Sequence, residues 1–313
     1  MTNTLLRRLG VSIVVLLGVL LIGFTMLQVI PADPAVAIAG PQGTEEEVEA
    51  IRRHLGLDQP APVQFVYYLQ RIAAGDMGRS VINNAPVFDE LLRALGPTIE
   101  LMAVAMFWSV PVALTFGILA ALNRGGVLDR IVMAVSVMGV SVPVFWVGLL
   151  MIQFAVQTRA FPIQGRGGPL WTWDGLSHIV LPATALGLIL VGPVARMTRT
   201  ALAEALYADH VRTARAKGAS EGRVVVHHAL RTALLPIITL IGLQVGTLMG
   251  GAVVTETIFS WPGVGRLAVG AIVAGDYPMA QGAIVFLAAA FILVNVLVDI
   301  LNELADPRIR SRT

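Results

Sequence analysis

Long apolar segments without a charged side chain recur along the whole chain. A helix needs about 20 apolar residues to cross the hydrocarbon core of a bilayer, where the backbone must satisfy its own hydrogen bonds. Only 13% of the residues are charged, compared with about 25% in soluble domains. The sequence therefore predicts an all-α polytopic membrane protein with six transmembrane helices, at residues 9–30, 101–122, 131–158, 179–195, 232–255 and 277–298. Pro143 lies inside the third of these spans, and the fourth is short and broken by Pro182 and Pro193.

Arginine is concentrated in connections that this layout predicts to be cytoplasmic. Arg7 and Arg8 precede the first span, and residues 196–231, between the fourth and fifth spans, are rich in arginine. Because short connections that carry Arg and Lys stay in the cytoplasm, both the N and C termini are predicted to be cytoplasmic. A large extracytoplasmic segment, residues 31–97, then lies between spans 1 and 2. The predicted domains are the N-terminal span with this segment (1–97), a transmembrane domain (98–302) and a cytoplasmic tail (303–313).

A cleaved signal peptide is the alternative interpretation of the first span. Ala37-Ile38-Ala39 resembles a signal cleavage site. The apolar core of a signal peptide has only about 7–15 residues, and residues 9–30 form a longer segment. We therefore favour a retained span.

Two short helices are predicted within the extracytoplasmic segment. Thr44 and the acidic residues after it are typical of a capped helix start, and this helix should end near His54, before Gly56. Residues 63–73 have a second helical pattern. A solvated surface is the simplest interpretation of this segment, and a dock for an external partner or a lid over a pathway is the functional one.

The connection between the fourth and fifth predicted spans has internal order. From Arg199 to Lys217 it is rich in Ala and Leu and contains no Gly or Pro, which favours a helix. Gly218 then indicates a helix stop, because glycine adopts the left-handed conformation at little cost. Ser220 can cap a second helix, with Glu221 at its positive end. A bent pair of helices with this composition could dock on a soluble partner.

Three glycines in the fifth predicted span recur at every fourth position. Gly242, Gly246 and Gly250 would form one stripe on a helix face, and Gln244 lies in the same span. Such a stripe allows two helix backbones to approach closely. Helix packing and a wide translocation path are both left open as its role.

Several stretches of the sequence resemble ABC-importer permeases, the inner-membrane components of binding-protein-dependent transport. The cytoplasmic loop of that family resembles residues 209–223, Asp-His-Val-Arg-Thr-Ala-Arg-Ala-Lys-Gly-Ala-Ser-Glu-Gly-Arg, and residues 228–236, His-Ala-Leu-Arg-Thr-Ala-Leu-Leu-Pro. The resemblance is closest to the dipeptide, oligopeptide and nickel branch. It extends to residues 256–266 and 75–80, so it reaches across most of the chain.

The resemblance implies a function, partners and site residues. Residues 98–302 would be the permease domain of an ATP-driven importer of di- and oligopeptides in the prokaryotic cytoplasmic (inner) membrane, with nickel or another small solute as the alternative. The implied partners are a second homologous permease subunit, two ATPase subunits that bind ATP and Mg, an extracytoplasmic solute-binding protein and the lipid bilayer. The loop would carry a coupling helix, although Arg212-Thr213-Ala214 replaces the general Glu-Ala-Ala triplet in this EAA-like loop. The residues assigned to ATPase coupling are Asp209, Arg212, Thr213, Ala214, Lys217, Gly218, Ser220 and Glu221.

Residue content excludes several kinds of chemistry. Lys217 is the only lysine and is followed by Gly218, so the phosphate-binding pattern G-x-x-x-x-G-K-[ST] is absent and ATP is expected to bind to another subunit. There is no cysteine, which excludes disulfides and thiolate chemistry. The arginines flank spans rather than forming a basic soluble face, so nucleic acid is not a predicted partner. No cofactor or metal is expected on this chain, and it is not predicted to be an enzyme.

Three other classes of membrane protein are weaker alternatives. Ser141, within the third predicted span, could suggest an intramembrane serine protease, but the predicted spans hold no histidine to act as its base. A proton- or sodium-driven carrier would place Asp, Glu or His inside its spans, and the six predicted spans contain none. A passive channel would leave the large docking loop unexplained.

Overall fold

The computed structural model describes residues 2–29, 34–39, 43–54, 56 and 58–305. Within these residues every named element is a helix, and one isolated antiparallel bridge joins Arg79 to Pro86. The helices are α1 (Thr2–Val29), α2 (Pro34–Ala39), α3 (Glu45–His54), α4 (Ala61–Ala73), α5 (Val87–Leu122), α6 (Val127–Ser141), α7 (Val144–Thr158), α8 (Trp173–Leu206), α9 (Asp209–Ala216), α10 (Glu221–Arg223), α11 (Leu230–Ile258), α12 (Val264–Ala274) and α13 (Tyr277–Ala305). A π-helical segment, Val224–Ala229, joins α10 to α11.

Four helices of the described chain are long and apolar enough to cross a membrane. They lie at Val87–Leu122, Trp173–Leu206, Glu221–Ile258 and Tyr277–Val298. Helices α6 and α7 make a fifth span if the bent pair is counted as one, and the first predicted span falls on α1, which has a shorter apolar stretch. The predicted all-α membrane architecture is therefore confirmed. The end of the first predicted span at residue 30, and the tail from residue 306 onwards, lie outside the described residues.

The third predicted span is a bent pair of helices rather than one helix with an internal proline. Val142 ends α6 in an extended conformation, with φ −88° and ψ 122°, because the ring of Pro143 disfavours a helical conformation in the residue before it. Pro143 then precedes the first turn of α7. The two helices are bent by 99°.

The fourth predicted span is longer than expected, and its predicted break at Pro182 and Pro193 is wrong. Helix α8 has 34 residues and continues through both prolines. It packs against α6, α7 and α11, and Trp108 Nε1 on α5 donates a hydrogen bond of 3.0 Å to the Ala183 carbonyl. Packing against neighbouring helices stabilises prolines inside membrane helices.

Two compact units divide the described chain. The first contains residues 99–261 and 294–305. Its centre is α8, whose Leu186 and Leu190 are fully buried in a cluster with residues of α5 and α11. This unit holds the connection that the sequence assigns to docking.

The second unit contains residues 2–98 and 262–293. Its apolar core joins the start of α5 to α12 and α13, and Leu91 is fully buried there. The buried Asp276 accepts hydrogen bonds from Ser80 Oγ and, at 3.3 Å, from the Val81 N–H. This carboxylate therefore fixes the loop before α5 on the turn between α12 and α13.

The helix predicted after Thr44 is confirmed as α3. The Thr44 N–H donates to Glu47 Oε2 at 3.0 Å, and the Glu47 N–H donates to Thr44 Oγ1 at 3.3 Å, which are the two bonds of a capping box. Gly56 follows with a φ of 66°. The helix predicted at residues 63–73 is confirmed as α4.

Candidate functional site

The connection between α8 and α11 contains α9, a glycine turn and α10. The single helix predicted from Arg199 to Lys217 is wrong, because α8 ends at Leu206 and α9 begins at Asp209. Ala208, between them, is extended, with φ −67° and ψ 148°. Helix α10 runs through the π-helical segment into α11 as one continuous helix, so α9 is the separate short helix of the connection.

A buried apolar cluster explains why the helix is interrupted. Val211 of α9 and Val224 of the π-helical segment are fully buried in one cluster with Leu202 of α8 and Ile237 of α11. In an uninterrupted helix Leu202 and Val211 would be about 13.5 Å apart along the axis. Burial of one valine side chain stabilises a structure by about 1.5–3 kcal/mol. The break therefore lets α9 fold back onto the spans that flank it.

Gly218 adopts the left-handed conformation predicted for it, with a φ of 81°. Its N–H donates to the Arg215 carbonyl at 2.9 Å, and the Ala219 N–H donates to the Ala214 carbonyl at 3.2 Å. These two bonds form a Schellman motif, a common C-terminal end of a helix. No atom lies within 4 Å of the position that a Cβ would occupy, so glycine is required here by its conformation and not by lack of space.

Arg215 connects the three helical pieces of the site. It donates to Glu221 through Nε–Oε1 and Nη2–Oε2 hydrogen bonds of 2.9 and 3.1 Å, and its Nη1 donates to the Leu206 carbonyl at 3.2 Å. The hydrogen bond to Glu221 favours the charged guanidinium and raises the pKa of Arg215. Ser220 occupies the N-cap position of α10, but its side chain makes no capping hydrogen bond. Sequence reasoning did not include Arg215 among the coupling residues, although its position three residues before Gly218 was a signal.

The outer face of α9 carries most of the other predicted coupling residues. The side chains of Asp209 and Arg212 are 99% and 75% exposed, with Arg212 Nη1 3.7 Å from Asp209 Oδ1. Thr213 and Lys217 are also exposed, and Thr213 Oγ1 donates to the Asp209 carbonyl at 2.9 Å. Ala214 differs, because it is buried in the face that packs on the spans. The structure thus brings four polar side chains together on one short helix and its end.

The glycine stripe of α11 is open along part of its length in this chain. Gly250 is exposed and has no atom within 4 Å of a Cβ position, whereas the adjacent Gly251 lies close to side chains of α8. Gly242 and Gly246 are half-buried. The half-buried Gln244 accepts a hydrogen bond of 3.3 Å from the Thr247 hydroxyl on its own helix.

A second ion pair lies two turns before the end of α8. Arg199 donates from Nε and Nη2 to Asp129 Oδ1 and Oδ2 at 3.0 and 2.7 Å. The Asp129 side chain is 5% exposed and also accepts a hydrogen bond of 2.9 Å from the Gly125 N–H. Sequence reasoning missed this pair because 70 positions separate its members.

The histidines of the site do not form a metal centre. His210 Nε2 lies 3.2 Å from the Thr232 hydroxyl, while His227 is exposed and His228 is half-buried. Across the part of the chain that the structure describes, no group of three or more His, Cys, Asp or Glu side chains could hold a metal ion.

Apolar helices of membrane-spanning length, joined by an anchored segment with an exposed polar face, define a polytopic membrane protein. The chain belongs to the family of binding-protein-dependent transport system inner membrane components. The family model matches residues 113–311, and the model for the N-terminal part of these membrane components matches residues 1–103. The chain is therefore a permease component of the inner membrane.

Relatives that match the chain over its full length are named as permease proteins of transport systems. The chain is 39% identical over 338 residues to the dipeptide transport system permease protein DppB of Escherichia coli (strain K12), with 100% of both chains covered. It is 42% identical over 335 residues to the di/tripeptide transport system permease protein DppB of Pseudomonas aeruginosa (strain UCBPP-PA14), again with 100% of both chains covered. It is 40% identical over 313 residues to the glutathione transport system permease protein GsiC of Escherichia coli O6:H1, with 100% of both covered.

Proposed function

We propose that this chain is the permease subunit of an ATP-driven importer that carries di- and oligopeptides across the inner membrane. The observation that carries the proposal is full-length similarity to relatives named for dipeptide, di/tripeptide and glutathione transport. None of these three is named for nickel, and the described residues hold no group that could bind a metal ion. Peptide is therefore favoured over nickel as the solute.

Helix α9 is the coupling helix of this proposal. ATP and Mg are bound by two separate ATPase subunits, and the outer face of α9 docks in a cleft of one of them. Asp209, Arg212 and Lys217 supply exposed charges for this contact, and Gly218 and Glu221 set the angle at which α9 leaves the membrane. The shape supports this role, because α9 is a discrete helix of eight residues between two long apolar helices.

The buried face of α9 transmits the movement. Val211 packs in the cluster that includes residues of α8 and α11, and Arg215 joins α9 to the end of α8 and to α10. Displacement of α9 by closing ATPases would therefore move α8 and α11 together. These spans would switch the permease between outward and inward access, while the energy comes from ATP on the partner subunits.

The proposed topology has six spans and cytoplasmic termini. The spans are α1, α5, the bent pair α6–α7, α8, the continuous helix of α10 and α11, and α13. Arginine in the connections predicted to be cytoplasmic supports this orientation. The segment with α2, α3 and α4 would then face the solute-binding protein outside the cell membrane.

The stripe of Gly242, Gln244, Gly246 and Gly250 is assigned to the translocation path or to contact with the second permease subunit. The open space at Gly250 supports this assignment, because α8 approaches α11 at the neighbouring Gly251 and leaves the stripe uncovered there.

Uptake in a reconstituted system tests the function. The chain is co-purified with its partner subunits, placed in proteoliposomes with ATP inside, and supplied with the binding protein and labelled dipeptide. ATP-dependent uptake that unlabelled dipeptides abolish and Ni²⁺ leaves unchanged is expected. Uptake of labelled nickel without uptake of peptide would contradict the proposal.

A further inference from the structure

The turn between α5 and α6 is closed by its own hydrogen bonds. The Gly126 N–H donates to the Asn123 carbonyl at 2.8 Å, and Asn123 Nδ2 donates to the Leu119 carbonyl at 2.9 Å. Gly125 has a φ of 78°, and its N–H donates to the Asp129 carboxylate. This turn is therefore a defined structural piece rather than a loose connection.

Two contacts tie this turn to the end of α8. The first is the two-point ion pair of Asp129 with Arg199, in which both side chains are largely buried. The second is a cation–π contact, with Arg124 Cζ 5.5 Å from the centroid of the Tyr207 ring. Ala121, at the end of α5, adds an apolar contact because it belongs to the buried cluster beneath α9.

These contacts lie on the last turns of α8 and in the junction between α8 and α9. Arg199 precedes the end of α8 by about two turns. Tyr207 is the first of the two residues between the helices. The turn between α5 and α6 is thus fixed to the end of α8 and to the junction, both of which must move if α9 moves.

We propose that Asp129, Arg124 and Tyr207 are positioning residues that make the turn between α5 and α6 part of the coupling apparatus. Through these residues a displacement of α9 is transmitted to α6, and α6 transmits it to the bend at Pro143. This route is in addition to the movement of α8 and α11. The inference rests on the coupling role proposed above for α9.

Stability alone does not explain this arrangement. A buried ion pair contributes little net stability compared with apolar residues of the same volume. Arg124 and Tyr207 are both exposed, so the apolar core does not require their contact. The ion pair and the cation–π contact, however, each require a particular orientation of the two partners. Such contacts keep the turn between α5 and α6 in one position relative to the end of α8 when either of them moves.

The test is the amount of peptide taken up for each ATP hydrolysed. Both rates are measured in the same proteoliposomes that hold the complete transporter and its binding protein. Tyr207→Leu and Arg124→Gln should each lower this ratio about two- to fivefold, the factor expected for loss of one exposed cation–π contact. Tyr207→Phe keeps the aromatic face and should keep the ratio. The double variant Arg124→Gln/Tyr207→Leu should be no worse than either single variant, because both remove the same contact.

Asp129→Asn keeps the shape of the side chain and removes its charge. It should lower the amount of peptide taken up for each ATP more than Tyr207→Leu or Arg124→Gln does. Asp129→Glu, which keeps the charge, should retain part of that amount. A purely structural role predicts less assembled transporter with an unchanged ratio, so the amount of complex is measured in every preparation.

Gly218→Val serves as the reference for the coupling role of α9. Suppose that Gly218→Val abolishes peptide uptake driven by ATP, while Tyr207→Leu and Asp129→Asn take up as much peptide for each ATP as the unchanged protein. The inference about the turn between α5 and α6 is then overturned, and the role of α9 stands. If Gly218→Val transports normally, the role of α9 is wrong and the inference falls with it.

Discussion

Arg215 binds Glu221 through two hydrogen bonds, of 2.9 and 3.1 Å, across the turn at Gly218. The pair closes the polar side of the turn, while Val211 and Ala214 are buried on its apolar side. A helix of eight residues is not stable in water by itself. The two sets of contacts therefore explain both why α9 is helical and why it has one orientation.

Arg215→Lys tests the polar side of this turn. A lysine ammonium cannot donate two parallel hydrogen bonds to one carboxylate, so the variant should assemble normally but hydrolyse ATP with less peptide uptake. The measurement is uptake and ATP hydrolysis in the same proteoliposomes. Arg223→Lys, an exposed position on α10, is the matched control and should behave as the unchanged protein. Full coupling in Arg215→Lys would show that the two-point contact is not needed.

Val211→Ala tests the apolar side. Loss of two buried methyl groups should weaken the attachment of α9 by about 1.5–3 kcal/mol. Trypsin should then cut the purified subunit faster at Arg212 and Arg215, with the sites identified by mass spectrometry. Val226→Ala is the control, because Val226 is 56% exposed in the neighbouring π-helical segment. Equal cleavage rates in the two variants would argue against the anchoring role of Val211.

Features that depend on a few neighbouring residues could be predicted from the sequence. The left-handed turn at Gly218 follows from basic residues, a glycine and a new helix start in direct succession. The cap of α3 follows in the same way from Thr44 and the acid three residues later. In both cases the hydrogen-bonding groups belong to one short stretch of chain.

Features that depend on packing between distant segments could not be predicted. Pro193 was expected to break a helix, but contacts from neighbouring helices hold α8 together. The break before α9 appears only once Val211 and Leu202 are known to share a buried cluster. The pair of Asp129 with Arg199 joins residues 70 positions apart, and one sequence alone holds no signal for it.

Membrane topology is the third prediction. Because arginine is concentrated in the connections assigned to the cytoplasm, reporter fusions after Gly126 and after Gly218 should both be active as cytoplasmic reporters. A fusion near Gln42 should report the outside. The measurement uses paired alkaline phosphatase and fluorescent protein fusions in whole cells. An external signal at Gly218 would contradict the orientation and with it the docking of α9 on ATPases.

Gly218→Val is the fourth prediction and tests the turn itself. At a φ of 81° a residue with a Cβ has a steric penalty of about 1–2 kcal/mol, and a branched side chain has more. The Cβ position is open, so the spans and their packing should be unaffected and expression should stay near normal. The turn should instead relax to another conformation, which would weaken the contact of Arg215 with Glu221 and change the angle of α9. Loss of peptide uptake and of substrate-stimulated ATP hydrolysis is expected in the assembled complex.

Two control variants separate backbone conformation from side-chain size at this turn. Gly222→Val adds the same side chain four residues later, at a helical position that is equally open, so transport should change little. Gly218→Asn adds a side chain that tolerates the left-handed conformation, so it should retain most of the activity. If all three variants transport equally while retaining their ATPase subunits, Gly218 only ends a surface helix. If only Gly218→Val fails, the conformation of this one residue determines how α9 is presented to the ATPase.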